Sequence, residues 1–183
     1  MIIAAIVIAI SLSVRALLVI RGCAWGNQMK LLSGLAISVV LAIVHTVLFY
    51  TGLLTGDILR FDESLYDTAN ALVFMGISAV VALRWLFQVR RKSVALPSYN
   101  LSRVNAVLAF AFASGISVFM VGLGFGFVCK EPRWFLAIPL FVQTLVGAYF
   151  GVMFGRRHVE MNVRRWQLLS ALLLLSVAVS FLI

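Results

Sequence analysis

The stretch that decides the fold is Ala106–Val128, AVLAFAFASGISVFMVGLGFGFV, which carries no charge from end to end. A helix that crosses a bilayer needs about 20 consecutive apolar residues. Five further stretches read the same way: 1–20, 31–55, 69–88, 134–155 and 166–183. Each must be helical, because lipid offers backbone N–H and C=O groups no partner outside their own segment. Composition agrees. Of 183 residues 63% are hydrophobic and 11% charged, with a mean hydropathy of +1.11. A soluble domain is about half apolar and about a quarter charged. The expected fold is therefore an all-α membrane protein of six transmembrane helices in one bundle, with no separate soluble domain.

The net charge of +9 does not indicate a nucleic-acid partner. The charges sit in short connections and form no continuous basic face. They set orientation instead. Connections after spans one, three and five hold Arg21, Lys30, Arg90, Arg91, Lys92, Arg103, Arg156, Arg157, Arg164 and Arg165. Those after spans two and four hold only Arg60, Lys130 and Arg133. Ten against three places the odd connections in the cytoplasm and both termini outside. All six acidic residues (Asp57, Asp62, Glu63, Asp67, Glu131, Glu160) fall in connections, and the first four read as a solvated outer loop. Cys23 and Cys129 lie at helix ends on opposite faces, so free thiols are expected. Met1 runs directly into IIAAIVIAI without a basic n-region, which reads as a retained first span.

The chain repeats itself. Ala9-Ile10-Ser11-Leu12-Ser13-Val14 in span one matches Ala113-Ser114-Gly115-Ile116-Ser117-Val118 in span four. Val44-His45-Thr46 before Gly52-x-x-x-Gly56 matches Val142-Gln143-Thr144 before Gly151-x-x-x-Gly155, with one residue of slippage. Three spans used twice must insert with opposite orientations. This predicts two inverted three-helix repeats, 1–88 and 106–183, joined by a cytoplasmic linker over 89–105. In such a plan substrate binds near mid-membrane where the repeats meet.

Polar side chains at depth are few. His45 could ligate a metal, relay a proton or simply bond a neighbouring helix. Gln143 can offer only an amide, and Thr46 and Thr144 suit a bond to their own backbone. Arg15 and Arg84 lie near the cytoplasmic ends of spans one and three and are expected to snorkel to headgroups. Gly52, Gly56, Gly122, Gly124, Gly151 and Gly155 suit close helix packing. No nucleophile–base or metal-hydrolase set can be assembled at membrane depth, so an enzyme is not expected.

At these residues the chain resembles the MntP family of bacterial manganese efflux pumps, part of the LysE-type exporter group. Ser11-Leu12-Ser13-Val14 running to Arg21-Gly22 matches the family's Ser-Met-Asp-Ala-type stretch. Gly115-Ile116-Ser117-Val118 before Val121-Gly122-Leu123-Gly124 matches its Ser-Leu-Asp-Ala-type stretch. His45-Thr46 before Gly52 and Gly56, and Gly151, Gly155 and Arg156, match its second and fifth spans. On this alignment the family's two pathway aspartates fall on Ser13 and Ser117.

The resemblance implies a small secondary exporter of the bacterial inner membrane, with no cofactor and with Mn2+ as its transported substrate. The implied pathway passes Ser13, His45, Thr46, Ser117, Gln143 and Thr144, with His45 as the one candidate metal ligand. Loss of both aspartates implies an altered ion site. Two alternatives stay open: export of a non-cationic small solute, or a non-transporting membrane subunit. The lipid bilayer is the expected surrounding, and self-association into a homo-oligomer is left open.

Overall fold

The computed structural model describes residues 2–27, 31–60, 67–90, 104–129, 137–157, 159 and 161–182. Within them lie six helices: α1 (Ile2–Asn27), α2 (Leu31–Ile58), α3 (Asp67–Arg90), α4 (Val104–Val128), α5 (Ile138–Arg156) and α6 (Val163–Ser180). All six are long and apolar enough to cross a bilayer. Local chemistry sets several ends. Pro139 stands in the first turn of α5, where its missing N–H costs no intrahelical bond. The Asn162 side chain caps α6 by accepting from the Arg165 amide. Outward faces carry bare apolar side chains such as Leu32, Val47, Phe87, Phe112 and Leu172, as the lipid-facing side of a bundle requires.

Three expectations need correction. Span one ends seven residues beyond the stretch 1–20, because Arg21 and Gly22 are taken into the helix. Arg21 is buried, and its Nε and Nη2 donate to the Val159 carbonyl at 3.1 and 2.7 Å. It is therefore a tether between helices and no loop charge, leaving nine against three in the orientation count. Asp57 belongs to the last turn of α2, 3.5 Å from Arg60, and Asp67 opens α3, so neither lies in a connection. The free thiols of Cys23 and Cys129 are both buried. Arg90 is the last residue of α3 and so is taken into the helix, while Arg156, Arg157, Arg164 and Arg165 stand at the ends of α5 and α6; the remaining loop charges from Lys30 to Glu160, and linker residues 91–103, lie outside the described residues.

The principal packed pairs are α1 with α5 and α6, α2 with α4 and α5, and α3 with α4 and α6. Exchanging each helix with the one three further along returns the same set. Atomic contacts repeat the pattern. A Cβ on Gly52 would meet the Phe119 carbonyl oxygen and Leu123 nitrogen. A Cβ on Gly151 would meet the Leu17 oxygen and Arg21 nitrogen. The packing thus sets Leu17 against Phe119, and Gly52 against Gly151, as counterparts.

Glycine decides how closely the parallel pairs approach. Along α2 and α4, Phe49 meets Gly122, Gly52 meets Phe119 and Leu123, and Gly56 meets Gly126. These contacts are backbone against backbone, possible only without a Cβ on one side. Two clusters fill the remainder. One gathers Phe49, Phe74, Trp85, Phe125 and Leu174; the other gathers Ile20, Leu41, Phe110 and Val152.

Candidate functional site: a cavity beside Arg15

The longer α1 moves Arg15 to the helix middle, thirteen residues after its first and twelve before its last. Its side chain is half-buried there and leans on a neighbouring helix. The guanidinium carbon stands 4.8 Å from the ring centroid of Trp85 on α3, itself only 1% exposed. A cation desolvated in this way gains from the negative face of the indole. Arg84, by contrast, is exposed.

Arg15 lines a small cavity where α1, α2 and α4 meet. Leu12, Ala16 and Val19 share its wall on α1. His45 comes from α2, and Ser114, Ser117 and Val118 come from α4. The lining respects the packing register. Shifted by the Leu17–Phe119 correspondence, Leu12 falls on Ser114, Arg15 on Ser117, and Ala16 on Val118. The α1 and α4 parts of the lining therefore correspond residue by residue, with Arg15 on the α1 side and two hydroxyls on the α4 side, while His45 comes from α2.

The packing register sets Ser13 against Gly115, two residues from the string match with Ser117. Two residues turn a helix by about 200°, so the two registers set different faces against each other. Ser13 donates to the Ile10 carbonyl at 2.9 Å and packs against Gly147, away from the cavity. Arg15 is the counterpart of Ser117. Likewise Gly52–Gly151 pairs His45 with Thr144, one residue along from Gln143.

The hydrogen bonds at His45 follow from this arrangement. Ser114 Oγ lies 3.0 Å from the Ala111 carbonyl oxygen and 3.0 Å from His45 Nε2. One hydroxyl has one proton, so Ser114 either donates to Ala111 and accepts from Nε2–H or donates to a bare Nε2. In both arrangements Nδ1 has no hydrogen-bond partner although the residue is 2% exposed. The counterpart bond would run from Thr144 to Leu12, which has no polar atom. Thr144 Oγ1 is accordingly buried without a partner.

Of the six pathway residues expected from sequence, the cavity gathers His45 and Ser117 only. Thr46 donates to Ala42 on its own helix at 2.7 Å. Gln143 and Thr144 lie on α5, which contributes nothing to the cavity lining. Gly52, Gly56, Gly122 and Gly151 sit at backbone crossings, Gly124 against Phe74 and Ile77, and Gly155 is buried in the last turn of α5. Sequence reading missed Arg15 and Ser114 at the cavity. The signal for Arg15 was the uninterrupted apolar run Ala16–Ile20 after it, which extends the span well past the charge. Among the described residues no three His, Cys, Asp or Glu side chains converge as a metal ion would require.

Six apolar helices around an internal charged cavity define a multi-pass membrane protein. The chain belongs to the MntP family: the family model described as "Putative manganese efflux pump" matches residues 28–182. The matched segment begins just after α1, the helix that carries Arg15. No curated protein and no solved structure matches the chain.

Proposed function

We propose that the protein is a small secondary transporter of the inner membrane, with both termini outside, built from two inverted three-helix repeats. Substrate passes through the cavity between α1, α2 and α4 as one repeat rocks against the other. Family membership and the two-fold packing support this reading. So do two arginine tethers at the helix ends. Arg21 joins the end of α1 to Val159 beyond α5. Arg60 joins the end of α2 to the Cys129 carbonyl after α4, at 3.2 Å. Consecutive spans alternate in direction, so these two ends face opposite sides of the bilayer.

The observation that carries the choice of cargo is Arg15 in the cavity wall. A manganese site wants carboxylate oxygens, and among the described residues the acidic ones, Asp57 and Asp67, stand at helix ends. A divalent cation about 5 Å from the guanidinium would meet a repulsion of about 7 kcal/mol at an effective dielectric of 20. The cargo we assign is a non-cationic small solute. Expression in a host lacking its manganese exporter tests the assignment: manganese tolerance and cell manganese should stay unchanged. Restored tolerance with a fall in cell manganese would refute the altered site.

Orientation has a separate test. A reporter active only outside the cytoplasm, fused after Ile183, should be active. Activity from a cytoplasm-only reporter at the same position would reverse the topology.

A further inference from the structure

Arginines crowd one end of the bundle. Residues 156–165, where α5 gives way to α6, hold Arg156, Arg157, Arg164 and Arg165 against one carboxylate, Glu160. All four arginines are exposed. Consecutive spans alternate in direction, so Asp57 at the end of α2 and Asp67 at the start of α3 stand on the opposite side of the bilayer and cannot neutralise them. Hydrogen bonds hold the two arginine pairs on either side of one short turn. The Arg157 amide donates to the Met153 carbonyl at 3.1 Å and the Val159 amide to the Phe154 carbonyl at 3.0 Å, which winds the chain tightly off α5. Asn162 then caps α6 through the Arg165 amide. Like charges gathered in this way repel one another until an anion lies among them.

The face of α6 that continues from the second pair says which anion fits. Arg165, Leu168, Leu169 and Leu172 fall at helical spacing on one face, and all are exposed. A helical side chain leans toward the N-terminus of its helix, so the Arg165 guanidinium reaches away from the leucines toward headgroup level. Trp166, exposed beside it, sets an indole at the boundary between headgroups and chains. Charge above and leucine below match an amphiphile, whereas a soluble polyanion would use the upper part alone. Arginine grips phosphate oxygens with two parallel N–H donors, and two arginine pairs offer two such grips. We propose that this end of the bundle binds one anionic phospholipid whose headgroup carries two phosphates, one at each arginine pair, and that Arg21 passes the grip on to α1.

The link to α1 is direct. Arg21 Nε and Nη2 both donate to the carbonyl of Val159, which lies in the turn between the two pairs. The Arg21 backbone nitrogen in turn lies against Gly151 of α5. A headgroup that fixes the turn therefore also fixes the end of α1 against α5. This inference goes beyond the transporter reading and needs only a multi-pass membrane protein, so it stands apart from transport and from the direction of insertion.

The probes are cardiolipin, and phosphatidylglycerol at twice its mole fraction so that phosphate charge is equal, each in phosphatidylcholine nanodiscs holding the purified full-length protein. Native mass spectrometry counts the lipids retained, and thermal unfolding reports the bracing. One cardiolipin should be retained per chain, and it should raise the unfolding midpoint by about 3 °C or more. Phosphatidylglycerol should give less than about half that rise. Arg156→Gln and Arg165→Gln, one from each pair, should each weaken cardiolipin retention by about five-fold or more. Arg165→Lys should recover only part of the loss, because an ammonium keeps the charge without the fork. Arg84→Gln removes an exposed charge toward the same side of the bilayer and should change retention by less than about two-fold. Arg21→Met should keep retention within about two-fold and lose most of the midpoint rise.

Equal retention and equal stabilisation by the two lipids would overturn the two-phosphate site. So would a loss in Arg84→Gln as large as in Arg165→Gln, which is the mark of diffuse attraction between a basic protein and an anionic surface. A midpoint rise that survives Arg21→Met would overturn the bracing of α1. Retention of neither lipid would overturn the inference as a whole.

Discussion

Leucine at position 122 should force α2 and α4 apart, and the purified variant should lose its compact, monodisperse form. The reason lies in what a side chain would meet there. A Cβ on Gly122 points at the Phe49 carbonyl oxygen, its carbon and its Cα. Backbone cannot rotate aside as the tip of a side chain can. The neighbouring crossings at Gly52, Gly56 and Gly126 are made the same way, so relief at one would have to open all four. In lipid this contact has no hydrophobic substitute, because tails solvate leucine as well as a neighbouring helix does. Even Gly122→Ala should cost about 1–3 kcal/mol through overpacking, partly offset by up to about 1 kcal/mol of helix propensity. Gly76→Ala is the control. Nothing lies within 4 Å of its Cβ position, so the same change there should leave the unfolding midpoint unchanged or raise it slightly. Equal effects at the two positions would show that the crossing does not govern stability.

The second large effect is expected at Trp85. Among the described residues its ring is the largest fully buried side chain, and it is the surface against which Arg15 lies. Trp85→Ala removes that ring and leaves a void among Ala82, Leu86 and their neighbours. It also strips the guanidinium of the indole face it lies against. The combined loss should be about 2–4 kcal/mol in thermal unfolding of the solubilised protein. Trp85→Phe keeps an aromatic face and should recover about half of it. A double-mutant cycle with Arg15→Met isolates the stacking, with an expected coupling of about 1–2 kcal/mol. Additivity within about 0.5 kcal/mol would mean that the cation and the ring merely adjoin.

Both effects concern residues that sequence reading treated unevenly. Gly122, Gly52 and Gly56 were legible as packing positions, because glycine at helical spacing in an apolar span has few other uses. Trp85 and Arg15 were not. They are seventy residues apart in sequence, and nothing local to either announces the other. Arg15 was misplaced for a simpler reason. Ending the span at a charge is a sound rule when charge must face headgroups, and it fails when a buried aromatic and a polar cavity receive the charge inside. Ser114 was likewise one of several small polar residues until His45 was placed 3.0 Å from it.

Six helices in lipid follow from composition and run length, since apolar runs of about 20 residues fit a spanning helix and twice overrun a spanning strand. The sequence also carried the family resemblance, because short small-residue motifs survive as local strings. Tertiary structure decided which faces meet. A slip of two residues leaves a string match almost as good, yet it carries a side chain to the far side of the helix. Only the crossing of Gly52 on Phe119 and of Gly151 on Leu17 fixes the register that sets Arg15, and not Ser13, opposite Ser117. That contact changes the centre of the protein from a neutral pair of serines into a site with a fixed positive charge.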